Sequence, residues 1–172
     1  MGSLLAAQND YQLPEASADF IGDWCGWERL TACQPAGSCD AEQGPESLSF
    51  SGGAGQPVSL HYEIASSSDM TASDISVESR GAHDVRVTLV EKYKDPEIGA
   101  FILRDVTEDI VSKNPATLED TESVTDEADS SKTMARTAEL HKCTEQFLDS
   151  QQQYLTQHNE VGRGAVEGNV PN

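Results

Sequence analysis

Val58-Ser59-Leu60-His61-Tyr62-Glu63-Ile64 places apolar side chains at every second residue, the period of a strand with one face buried and the other in water. Val85, Val87 and Leu89 repeat the pattern with Arg86 and Thr88 on the opposite face, and Ile75 and Val77 repeat it more briefly. Upstream, Ser47-Leu48-Ser49-Phe50 is a short strand ending at Ser51-Gly52-Gly53-Ala54-Gly55. Downstream, Phe101-Ile102-Leu103 follows a turn at Asp95-Pro96. Phe20-Ile21-Gly22-Asp23-Trp24-Cys25-Gly26-Trp27, the densest aromatic patch, reads as the first strand. About six strands spaced roughly 10–14 residues apart, with no crossover between them, predict an antiparallel meander closing as a barrel or sandwich.

The flanks read differently. Residues 1–18, polar and holding Pro14, are expected to be a flexible segment ahead of a β domain over 19–111. Glu119, Asp120, Glu122, Asp126, Glu127 and Asp129 mark an acidic linker over 112–131. A helix is expected over 132–160, with Leu140, Cys143, Phe147, Tyr154 and Leu155 on one side, followed by a frayed tail over 161–172.

Thirty acidic residues against 11 basic ones give a formal charge of -19. Such a surface repels phosphate backbones and anionic leaflets, so nucleic acid is not an expected partner. A cationic partner, a cation atmosphere or plain solubility fits the charge. No stretch reaches the ~20 apolar residues of a membrane helix. Leu4-Leu5-Ala6-Ala7-Gln8 resembles the end of a removed export signal.

The four cysteines, Cys25, Cys33, Cys39 and Cys143, are an even set suited to disulfides, which points to a secreted or periplasmic protein. Their spacing does not suit zinc, which favours Cys-x2-4-Cys pairs. No metal or cofactor is expected. Asp126, Glu127 and Asp129 lack the glycine and closing glutamate of a calcium loop.

Gly22-Asp23-Trp24 matches the Gly-x-Trp of a first strand, and on it the chain resembles the lipocalin-type (calycin) barrels. The resemblance implies an up-and-down barrel, usually of eight strands, with a helix laid outside. Trp24 would then plug the closed end and Gly22 would admit neighbouring backbone. The family stacks a late-strand Arg on this Trp, and Arg104 is the nearest candidate. If Trp24 points inward, Cys25 points outward. A Cys25–Cys143 bridge would then pin the helix to the wall, and Cys33–Cys39 would close the Pro-Gly loop. Cys39–Cys143 with Cys25–Cys33 is the alternative. A bridge across so long a loop is worth up to ~4 kcal/mol.

Catalytic signatures are missing: no Gly-x-Ser-x-Gly, no His-Glu-x-x-His and no phosphate loop. The chain is therefore read as a binding protein and not as an enzyme. A lipocalin-like carrier of a small apolar ligand would line its cavity with Leu60, Tyr62, Ile64, Ile75, Val77, Val85, Val87, Leu89, Phe101 and Leu103. The alternative is a secreted interaction module with a filled barrel and a protein partner, touching it through the Thr31–Gly44 loop and Trp27. Oligomeric state is left open.

Overall fold

Alternation of buried and exposed side chains, once begun, runs far beyond the expected strands. A computed structural model describes residues 8–41, 43–63 and 67–166. In it nine strands form one antiparallel sheet: β1 (Gln8–Leu13), β2 (Gly22–Gln34), β3 (Gly44–Gly53), β4 (Gln56–Glu63), β5 (Met70–Ser79), β6 (Asp84–Lys94), β7 (Phe101–Asn114), β8 (Thr117–Asp126) and β9 (Thr133–Lys142). Their order is β1-β4-β3-β2-β9-β8-β7-β6-β5, and the sheet curls into a nearly closed barrel. The pairing of β2 with β9 joins two hairpin series. The remaining seam lies between β4 and β5, and the N-terminal strand β1 fills it by pairing with β4.

Three expectations are corrected. The segment assigned to a flexible N-terminus contains β1, whose Leu13 is almost fully buried. The expected acidic linker over 112–131 holds the end of β7 and the whole of β8. Asn114-Pro115-Ala116 makes the hairpin between them, with the Asn114 Oδ1 accepting from the Ala116 amide at 2.8 Å. In the next turn the Asp126 and Asp129 side chains accept from Ala128 and Ser131 amides, so part of the acidity serves turn geometry.

The helix expected from residue 132 begins only at α1 (Glu145–Val166) and runs through Gly162 and Gly164. Residues 133–142 are β9 because Met134, Arg136, Ala138 and Leu140 share a strand face. The arginine within that series masked its two-residue period. In α1 the Thr144 Oγ1 accepts the Phe147 amide at 3.1 Å as an N-cap.

Between β3 and β4 the glycine-rich stretch is a hairpin turn, as its composition suggests. Gly53 pairs with Gln56, leaving Ala54 and Gly55 at φ 49° and 85°, the two left-handed residues of a tight hairpin loop.

One end of the barrel interior is an apolar plug. Trp24 is fully buried and its indole Nε1 donates to the Phe20 carbonyl at 2.7 Å. Phe20 lies in a single 3-10 turn (Ala18–Phe20), and its ring meets Phe50 at 5.1 Å between centroids. Leu60, Leu118 and Leu140 complete the layer. The cation over Trp24 is Lys142, its Nζ 4.0 Å from the ring centroid and donating to the Ile21 carbonyl. Gly22, at φ 135°, leaves the space that the lysine occupies. Arg104, expected in that role, instead pairs with Glu91 and covers Tyr93 at 4.2 Å.

Cys33 and Cys39 form a disulfide, which excludes the alternative pairing. Cys25 and Cys143 are also disulfide-bonded, and no cysteine is free. Bonded cysteines belong with an oxidising compartment. No described helix is long and apolar enough to cross a membrane.

Candidate functional site

Pleating sends every second residue of a strand inward, and above the apolar plug those inward positions turn acidic. On β7 the inward series is Ser112, Ile110, Glu108, Val106, Arg104. On β8 it is Leu118, Asp120, Glu122, Val124, Asp126. Register sets Glu108 opposite Glu122 and Glu122 opposite Arg136 of β9. Glu28 of β2 lies opposite Ala138, which in turn faces Asp120. Glu46 of β3 lies opposite Gly26 of β2. Gly26 has no side chain to obstruct it, and a Cβ there would collide with the Glu139 carbonyl and Leu140.

Six strands thus converge on one cluster: Glu28, Glu46, Glu108, Asp120, Glu122, Arg136 and, from β4, Tyr62. Glu108 and Asp120 are each 5% exposed. The Tyr62 hydroxyl donates to Glu108 Oε2 at 2.8 Å. Among the described residues Asp120 Oδ1 has no hydrogen-bond partner. Arg136 reaches Glu28 Oε1 at 3.4 Å and donates through Nη2 to the Asp40 carbonyl at 2.6 Å. One carboxylate oxygen each from Glu46, Glu108 and Asp120 lies within 4.8 Å of the other two.

Like charges this close in a poorly hydrated interior resist ionisation together. Burial, reinforced by the charges of Glu108, Glu28 and Glu122, pushes the Glu46 carboxyl up to about 9. Burial and Glu108 push Glu122 up to about 7 and hold Asp120 well above the ordinary carboxylate range. Glu28 is raised by burial against the opposing pull of Arg136. Burial and the neighbouring Glu108 raise the Tyr62 phenol, so it stays a donor. Chemically the cluster is a set of buried acids that favour a bound proton or cation over bare charge.

The expected lining divides three ways. Leu60, Val85, Val87 and Leu89 are buried inside the barrel, and Tyr62, Ile75 and Val77 are partly buried against the same core. Phe101 and Leu103 are corrected: they are 49% and 44% exposed and face outward. Phe101-Ile102-Leu103 is apolar on both faces and cannot show its own phase, which Val106 and Ile110 fix in favour of Ile102 and Arg104. Ile64 lies outside the described residues. Trp27, expected at the rim, is partly buried.

The sequence does not mark the carboxylates as a group. Leu118 and Val124 share a face with Asp120 and Glu122, and β-branched Thr117, Thr121 and Thr125 lie between them. That was the available strand signal beneath the acidic composition. No protein-family model, curated protein or solved structure matches the chain.

Proposed function

We propose that the chain is an exported, lipocalin-like binding barrel that holds a small, positively charged ligand in its interior. The observation that carries this reading is the inward cluster of Glu28, Glu46, Glu108, Asp120 and Glu122 around a single guanidinium, Arg136. Buried acids without matching donors oppose folding, and a bound cation relieves that opposition. The family resemblance has support in the plug: Gly22-Asp23-Trp24 lies on a long early strand, and Lys142 at the end of the last strand stacks where the family places an arginine. The disulfides support export. The ligand expected from sequence was apolar. The carboxylates shift that expectation towards a cation, with Val87, Leu89, Val106 and Val124 offering apolar surface along the same interior.

Thermal-shift measurements on the oxidised chain test this, using inorganic cations, alkylammonium ions, neutral lipids and fatty acids side by side. Cations should raise the melting temperature and Glu108→Gln should abolish the shift. Stabilisation by neutral or anionic apolar molecules alone refutes the reading. A second reading, a protein-interaction module, is favoured by Ile98, Phe101 and Leu103, which stand exposed around the β6–β7 hairpin. It predicts that a triple Ser substitution there removes a partner without altering cation-induced stabilisation.

A further inference from the structure

Resting on the cationic-ligand reading, the geometry points to a hard divalent metal ion as the ligand, held by Glu46, Glu108 and Asp120. Three strands, β3, β7 and β8, deliver these carboxylates, and one oxygen from each lies within 4.8 Å of the others. Oxygens sharing one calcium-sized ion at about 2.3–2.6 Å stand no more than about 5 Å apart, so the three are already within a single coordination sphere. A second observation comes from Asp120. It is 5% exposed, and its Oδ1 has no hydrogen-bond partner among the described residues. A buried acceptor so placed calls for a donor or an ion.

Asp120 also hydrogen-bonds Glu108, and its Oδ1 is left over for a cation. Glu108 takes the Tyr62 hydroxyl on Oε2, while Arg136 is directed to Glu28 and the Asp40 carbonyl. Oxygen is the only donor element in the triad. Without imidazole or thiolate, the set suits Ca2+, Mn2+ or Mg2+ better than Zn2+ or Cu2+. Glu46 is the least buried of the three ligands. Glu122 and Glu28 supply further negative charge around it. The four-cysteine spacing that argues against zinc has no bearing on this site, which is built from different residues.

Calorimetric titration of the full-length, oxidised, chelator-stripped chain with CaCl2, MnCl2 and MgCl2 tests the inference. Terbium luminescence sensitised through Tyr62 gives a second readout. At least one of the three ions should bind one per chain with a Kd of about 1 mM or tighter. Asp120→Asn and Glu108→Gln should each weaken binding by about tenfold or more, while Glu119→Gln, on the outward face of β8, leaves it unchanged. Circular dichroism checks each variant's fold, and Glu46→Gln repeats the test at the least buried ligand if either of the first two does not fold. Absence of heat and luminescence with the wild type, or binding that survives these substitutions in folded protein, overturns the metal site. A parallel titration with butylammonium separates the two levels. Butylammonium binding without metal binding overturns the metal site alone, and failure of every cation overturns the cationic-ligand reading as well.

Discussion

Replacing Glu46 by Gln removes one titrating acid from the interior while nearly preserving its shape. Around it stand Glu28 on β2, Tyr62 on β4, Glu108 on β7, Asp120 and Glu122 on β8, and Arg136 on β9. Glu46 has an ordinary value of 4.5 and is pushed up to about 9 in the fold. Between those values the native chain holds a proton that the unfolded chain has released. Stability contributed by this group is therefore full below the lower value and is lost as pH rises towards the higher one. Each unit within the window is worth ~1.4 kcal/mol, so pH 8 is less favourable to wild type than pH 5 by up to ~4 kcal/mol from this residue.

Part of that sum is shared with Glu108, Glu28 and Glu122, because discharging one acid eases the others. The expected gain of Glu46→Gln over wild type is thus at least ~1 kcal/mol larger at pH 8 than at pH 5. Urea unfolding followed by tryptophan fluorescence, with a chelator present and the disulfides intact, measures it. An equal effect at both pH values would mean that native Glu46 is not raised, and a loss confined to pH 8 that its carboxylate is stabilised; either refutes the reasoning.

Three further outcomes follow from the packing. Trp24→Phe keeps an aromatic plug but strips the Phe20 carbonyl of its donor, and should cost ~1–3 kcal/mol in the same urea assay. Gly26→Ala forces a methyl group into the Glu139 carbonyl and the Leu140 side chain across β2 and β9; soluble yield and the urea midpoint should both fall sharply. Replacing Cys33 and Cys39 together by Ser opens a loop with a sequence separation of 6 and should lower stability by ~2 kcal/mol, read as a shifted midpoint under non-reducing conditions.

The sequence reveals the barrel wherever inward positions are apolar. Val58, Leu60 and Tyr62, like Val85, Val87 and Leu89, display a period that needs no tertiary information. It hides the barrel where function and fold compete for the same positions. Asp120 and Glu122 occupy inward positions of β8, so the strand reads as a charged linker. Arg136 does the same to β9, where the remaining apolar residues are compatible with a helix. Phe101 and Leu103 mislead in the opposite sense, as apolar residues on the outer face. The cluster itself requires register. Glu46 and Asp120 are far apart in the chain, and only the paths through Gly26 and Ala138 of neighbouring strands bring them together.

The seam beside β4 bears on how a guest reaches the interior. Eight strands are held by hairpins or by the β2–β9 ladder, whereas β1 is six residues long and its described backbone ladder is with β4 alone. Detaching it breaks one short row of hydrogen bonds and uncovers Leu13, yet leaves both hairpin series intact, so it costs less than unfolding the sheet. Asn9 of this strand lies opposite Tyr62, the residue whose hydroxyl reaches Glu108. β1 is thus a short slat of the wall beside the acidic cluster. Hydrogen exchange should find its amides opening ahead of every other strand.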